Sequence, residues 1–230
     1  DHRDLHSFPT RRSSDLIAAE VPISTTILAA LGQIELHLTA RADSRAAAEA
    51  ALDAAVAELQ SVLGPSVYSV DGRALEVIVG DLVRERIMTV AVAESCTGGL
   101  LASRLTDVPG SSEYFDRGVV CYSNRAKTEL AGVPEALIAE HGAVSEPVAR
   151  AMAEGIRSHA GTNVGIGITG IAGPGGGTPQ KPVGTVAVAV VVGQDLQSRT
   201  FQFVGGRDMV KFQATQAAMN MLRLMLTEPR

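Results

Sequence analysis

Short apolar runs rich in β-branched residues alternate with stretches of helical periodicity over most of the chain after residue 86. The apolar runs predict strands at 89–93, 118–122, 164–169, 185–192 and 199–204. The periodic stretches predict helices at 100–105, 124–130, 146–160 and 208–227. This alternation implies a largely parallel or mixed sheet with helices on both faces. We therefore expect a three-layer α/β domain over residues 87–230.

A smaller α+β module is expected before it, over residues 17–86. Polar and apolar residues alternate at 33–40, which is typical of a half-buried strand, and helices are predicted at 45–63 and 75–86. The module has no GxxG loop, which a KH-type RNA-binding domain would need. We interpret it as a spacer or assembly domain. Residues 1–16 show neither helical periodicity nor the alternation of a strand. They resemble vector-derived sequence, and a natural disordered tail is the alternative.

The composition excludes several classes of function. The net charge is −5 and no dense Lys/Arg stripe occurs, which argues against nucleic acid as a partner. Val186 to Val192 is the longest apolar run and falls far short of the roughly 18 residues of a membrane helix. Two cysteines are too few for a disulfide scaffold, so free thiols and a cytoplasmic location are expected. The histidines lack ligand spacing, and no metal site is predicted.

Ligands of open α/β sheets bind at the carboxyl ends of the strands, so the strand-to-helix turns are the places for a site. The first turn reads ESCTGG from Glu94 to Gly99. It presents Ser95 as a nucleophile, and the N–H groups of its glycine end could hold an oxyanion. An ordinary capped turn is the alternative. Cys96 is the competing nucleophile, but no histidine is placed to activate it.

Three further turns carry polar or glycine-rich groups. Tyr122 and Lys127 follow the second strand and can point into one crevice, where a desolvated lysine can act as a general base. Residues 169–177 contain five glycines and can present backbone N–H groups to an anion. Arg207 begins the last helix and could bind a phosphate. The alternatives are a solvated lysine, a flexible connector and a surface arginine.

Four ordered segments resemble the C-terminal domain of the CinA family: AESCTGGLLASRLTDVPGSS, GVVCYSNRAKTELAGV, HGAVSEPVARAMAEG and GITGIAGPGGGTPQKPVGTV. The resemblance covers roughly residues 89–226, and residues 17–86 look like the linking module of that family. No segment resembles the family's larger N-terminal domain, so the ADP-ribose pyrophosphatase activity associated with that domain is not expected here.

The resemblance implies hydrolysis of the carboxamide of nicotinamide mononucleotide to nicotinate mononucleotide and ammonia, within pyridine nucleotide salvage. It implies a catalytic group of Ser95, Tyr122 and Lys127 and no metal or organic cofactor. Ser95 would lose its proton to Lys127 directly or through Tyr122, and N–H groups from 97 to 99 would hold the oxyanion. The residues expected to bind the substrate are Glu94, Thr97, Gly98, Gly99, Asn124, Thr169, Gly170, Gly173 and Arg207.

Two other functions are compatible with the sequence. One is a competence-associated module that binds a protein partner without catalysis, and the other is an amidohydrolase that acts on a different nucleotide amide. If the chain is an amidohydrolase, with nicotinamide mononucleotide or with another nucleotide amide as substrate, its partner is a small nucleotide. The phosphate of that nucleotide would lie near the loop after Thr169 or near Arg207. The small first module and the exposed strand edges also favour a homodimer.

Overall fold

The structure is a computed structural model and describes residues 21–30 and 32–227. The chain divides into two compact units, of which the first ends at Gly72 and the second begins at Arg73. The tail predicted over residues 1–16 lies outside the described residues. No helix within the described ranges is long and apolar enough to cross a membrane.

The first unit consists of a two-stranded hairpin and one long helix. Strands β1 (Ile23–Ala30) and β2 (Gln33–Ala40) are antiparallel, with Ile23 opposite Ala40. Helix α1 (Arg45–Leu63) begins after Ser44, whose hydroxyl accepts a hydrogen bond from the N–H of Ala47 at 3.2 Å. A side-chain acceptor at this position satisfies one of the free N–H groups of the first turn. The strand and the helix predicted at 33–40 and 45–63 are confirmed.

The second unit is built around a five-stranded mixed sheet with the order β4-β3-β5-β6-β7. Strand β3 is parallel to β4 and β5, whereas β6 pairs antiparallel with β5 and β7. The predicted fold class is therefore confirmed. Its strands are β3 (Val90–Glu94), β4 (Phe115–Val120), β5 (Val164–Gly170), β6 (Thr185–Val192) and β7 (Asp195–Gln202). Its helices are α2 (Leu75–Glu85), α3 (Leu100–Thr106), α4 (Asn124–Ala131), α5 (Glu135–His141), α6 (Glu146–Ala160) and α7 (Arg207–Thr227).

Helices cover both faces of this sheet, which explains why its central strands have no polar side. Helices α4 and α5 pack against α6 on the sheet, while α2 and α3 pack against α7. Every residue of β3 and β6 is buried. Helix α6 lies so close to β5 that a Cβ atom at Gly165 or Gly167 would stand 2.1–2.2 Å from a carbonyl oxygen of the helix. The short distance between α6 and β5 therefore requires glycine at these two positions of β5.

Three boundaries differ from the sequence analysis. The last strand was expected at 199–204, but β7 lies at 195–202. Helix α2 was grouped there with the first module, but it contacts α3 and α7 and clusters with the second unit. Its apolar side, with Leu75, Val79 and Val83 buried, shows that the helix needs a partner but does not show which unit supplies it. Strand β4 was expected at 118–122 and lies at 115–120, because the chain turns away at Cys121 to begin α4.

The carboxyl ends of β3, β4 and β5 meet at one edge of the sheet because these strands are parallel and adjacent. The loops that follow them begin at Ser95, Cys121 and Ile171. The predicted turns are therefore brought together by the topology of the sheet.

Candidate active site

Ser95 stands at the carboxyl end of β3, in a turn that hydrogen bonds to the neighbouring strand and to the side chain of Glu94 stabilise. Its N–H donates to the carbonyl of Ile168 on the neighbouring strand at 2.9 Å, and the residue is only 6% exposed. The carboxylate of Glu94 accepts hydrogen bonds from the N–H groups of Gly99 (3.1 Å), Leu101 (3.0 Å) and Ala102 (2.8 Å). Glu94 therefore caps α3 and gives the turn its shape.

Lys127 lies directly beside Ser95. Its Nζ donates to Ser95 Oγ at 3.0 Å and to the carbonyls of Cys121 (3.1 Å) and Tyr122 (3.3 Å). The helix that carries it begins at Ser123, whose hydroxyl accepts from the N–H of Ala126 at 3.0 Å. The local capping residue and the two carbonyls together direct the lysine at the serine.

The burial of Lys127 affects its pKa. The residue is 2% exposed, and this desolvation lowers the pKa of its amine below the usual 10.5. The neutral form of the amine would keep two N–H groups for the two carbonyls, and at the contact with Ser95 the hydroxyl would then be the donor and the amine lone pair the acceptor. The geometry is thus that of a general base beside a nucleophile.

The two thiols near the lysine are poor nucleophiles at neutral pH. Burial raises the pKa of Cys96 to about 12 and that of Cys121 to about 11. The thiolate is the reactive form of cysteine, and very little of it exists so far below these values. Cys96 borders the cavity, but Ser95 is the side chain that contacts the base.

A cavity of about 260 Å³ opens in front of the serine. Eight of the predicted residues line it: Ser95, Tyr122, Asn124, Lys127, Thr169, Gly170, Gly173 and Arg207. Lys127 and Arg207 are the basic residues of this lining, which contains no carboxylate, and Arg207 supplies a positive charge whether or not Lys127 is protonated. A cavity of this polarity favours an anionic ligand.

Four of the predicted substrate-binding residues do not line the cavity: Glu94, Thr97, Gly98 and Gly99. The N–H of Gly98 already donates to the carbonyl of Ser95 at 3.1 Å, and that of Gly99 donates to Glu94. Neither glycine is free to hold an oxyanion, which corrects the sequence-based assignment. No backbone carbonyl in the described part of the chain accepts the N–H of Cys96 or Thr97, and of these two residues Cys96 lines the cavity, so its N–H is the candidate to hold an oxyanion.

Arg207 joins two sides of the cavity mouth. Its guanidinium donates to the hydroxyl of Tyr122 at 2.9 Å and to the carbonyl of Gly173 at 2.8 Å. Among residues 21–30 and 32–227, no carboxylate lies within ion-pair distance of it. An arginine held only by neutral acceptors can still bind an anion. Tyr122 is 60% exposed, and its hydroxyl contacts Arg207 instead of linking Ser95 to Lys127.

One wall of the cavity was not found by sequence reasoning. Ala143 and Val144, from the segment between α5 and α6, line it. Thr169 holds this wall, because its hydroxyl donates to the carbonyl of Ala143 at 2.8 Å. The segment lies inside the HGAVSEPVA motif, but it has no side chain that suggests chemistry. No cluster of three or more potential metal ligands occurs among the described residues.

The fold and this geometry define a class of protein: an α/β domain with a buried serine–lysine pair at the carboxyl ends of parallel strands. The family model described as the CinA C-terminal domain matches residues 72–226. The chain therefore belongs to the CinA family, as the motifs had indicated.

Curated relatives and solved structures agree with this assignment. A CinA-like protein of Koribacter versatilis is 51% identical over 203 residues, which are 87% of this chain and 49% of that protein. A CinA-like protein of Syntrophus aciditrophicus is 50% identical over 83% of this chain and 46% of its own length. The chain thus spans about half the length of these relatives. The crystal structure of a competence-damaged protein (CinA) superfamily protein from Klebsiella pneumoniae matches 66% of this chain and 95% of its own, with 36% identity and a TM-score of 0.64.

Proposed function

We propose that this chain hydrolyses the carboxamide of nicotinamide mononucleotide, with Ser95 as nucleophile and Lys127 as general base. The observation that supports this most strongly is the 3.0 Å contact between Lys127 Nζ and Ser95 Oγ, made by a lysine whose pKa burial lowers. This pair suits acyl transfer, and the family resemblance supplies the expected substrate.

The proposed reaction has two halves. Lys127 takes the hydroxyl proton of Ser95 as Oγ attacks the amide carbon, and the oxyanion is held by the N–H group of Cys96. The C–N bond then breaks, Lys127 returns the proton to the leaving amine, and ammonia departs from an ester on Ser95. Water attacks this ester after giving a proton to Lys127, the ester bond breaks, and the proton passes to Ser95 Oγ.

The cavity also suits the phosphate of this substrate. Its volume of about 260 Å³ lies just below the roughly 300–1,000 Å³ of ordinary small-molecule pockets, which suits a pyridine ring and ribose inside and a phosphate at the mouth. Arg207 stands at that mouth, and no described carboxylate forms an ion pair with it. The direct lysine contact makes a proton relay through Tyr122 unnecessary, so we assign the tyrosine hydroxyl to the orientation of Arg207.

Ammonia release from nicotinamide mononucleotide by the purified chain tests the proposal. We expect turnover that disappears in Ser95→Ala and persists in Cys96→Ala, since the thiol is protonated and not in contact with the base. Nicotinamide riboside, which lacks the phosphate, should be a much poorer substrate. Loss of turnover in Cys96→Ala alone would overturn the assignment of the nucleophile. A folded parent chain without turnover would favour a protein-binding module or another amide.

A further inference from the structure

The wall at residues 141–144 has an unusual construction. Its four consecutive carbonyls all accept hydrogen bonds from side chains. Ser145 Oγ donates to the carbonyl of Gly142 at 2.9 Å, and Thr169 Oγ1 donates to that of Ala143 at 2.8 Å. Lys181 Nζ donates to the remaining two, those of His141 (3.0 Å) and Val144 (2.7 Å). His141 is the last residue of α5, and residues 142–144 lie between α5 and α6, so the shape of this part depends on these donors.

Lys181 reaches the wall from a separate segment of the chain. It belongs to the loop between β5 and β6, where the N–H of Thr178 donates to the carbonyl of Lys181 (2.9 Å) and the N–H of Lys181 donates to Thr178 Oγ1 (3.0 Å). Earlier residues of the same loop, including Gly175 and Gly176, line the cavity. One ammonium group therefore links two segments that both contribute residues to the cavity lining.

Gly142 leaves the space that this contact needs. It follows the last residue of α5 with φ +74°, and a Cβ atom there would lie 3.3 Å from Lys181 Nζ. A positive φ is unfavourable for residues with a side chain. The ammonium also stands at the negative end of a helix, where a cation is stabilised. Two independent features, the glycine and the helix end, thus accommodate the lysine.

We propose that Lys181 is a positioning residue that holds the glycine loop (residues 171–184) and the wall (residues 141–144) at the separation that the substrate requires. Its kinetic effect rests on the proposed function. Ser95 directly follows β3 and Lys127 lies in α4, so both stand outside these two segments. Loss of the link should therefore weaken substrate binding much more than it slows the bound substrate.

The kinetic test compares Lys181→Met and Lys181→Gln with Lys181→Arg, in which a guanidinium can still donate to two carbonyls. We expect KM for nicotinamide mononucleotide to rise by about tenfold in the first two variants, with kcat within about threefold of the parent. Lys181→Arg should restore most of the loss. Arg150→Met is the charge control, because exposed Arg150 bonds to Ser198 on β7 and not to either segment. An unchanged KM in Lys181→Met and Lys181→Gln would overturn the proposal.

Hydrogen exchange separates this proposal from the enzymatic one. Peptides that cover 141–146 and 173–180 should exchange faster in Lys181→Met, while peptides from β3 and β6 keep their protection and show that the variant is folded. A raised KM with unchanged exchange would mean that Lys181 contacts the substrate instead, which contradicts a positioning role. If the parent chain releases no ammonia, the proposed function fails, and the exchange result alone decides for or against the link.

Discussion

The replacement of Glu94 by glutamine tests whether this residue shapes the nucleophile turn or binds the substrate. The two carboxylate oxygens of Glu94 accept three backbone N–H groups, two at Oε2 and one at Oε1. A glutamine has one acceptor oxygen. If that oxygen takes the place of Oε2, the amide nitrogen faces the N–H of Ala102, and a buried donor meets a donor.

The magnitude follows from these contacts. One buried N–H without a partner costs about 1–3 kcal/mol. The two hydrogen bonds that remain lose their charge assistance, and removal of the negative charge from the start of α3 adds about 0.3–1 kcal/mol. We therefore expect Glu94→Gln to lower the free energy of unfolding by about 2–4 kcal/mol. In urea this corresponds to a midpoint shift of roughly 1–2 M.

The assay can be confined to the second unit. The two cysteines of the chain, Cys96 and Cys121, are both buried in that unit, so their reactivity with a thiol reagent in urea reports its unfolding. Glu135→Gln is a matched control, because it removes an exposed carboxylate from the first turn of α5 and should change stability by less than about 1 kcal/mol. A loss below about 1 kcal/mol in Glu94→Gln, together with a KM raised tenfold or more, would refute the capping role.

Two more predictions concern the catalytic base and its support. The kcat/KM for ammonia release should rise with pH through the pKa of Lys127, which burial lowers, because the neutral amine is the base and acid protonates it. Lys127→Arg should be inactive at every pH of this profile, and an active Lys127→Arg variant would contradict the role of Lys127 as general base. Gly155→Ala should destabilise the second unit by about 1–3 kcal/mol in the urea assay, because its Cβ atom would stand 1.7 Å from the carbonyl oxygen of Ala131 on α4. If Gly155→Ala is as stable as the parent chain, α4 and α6 can move apart at little energetic cost, and the prediction is wrong.

Local sequence patterns determined the kinds of element and much of the site. Hydrophobic periodicity depends on residues close in the chain, so it identified α1, β3, β5 and β6. The rule that ligands bind at the carboxyl ends of parallel strands then selected three turns in advance, with Ser95, Lys127 and Gly173 among their residues. All three line the cavity of the folded domain.

Only the tertiary structure decided the roles that depend on contacts between distant segments. The motif around Glu94 suggested a substrate ligand, but its carboxylate is occupied by the helix that follows. Tyr122 is in the cavity, yet its hydroxyl contacts Arg207, 85 positions away in sequence. The link from Lys181 to the carbonyls of residues 141 and 144 has no sequence pattern. A side-chain pattern shows which residue types are present, whereas the hydrogen-bond partner of each is set by segments that the fold brings together.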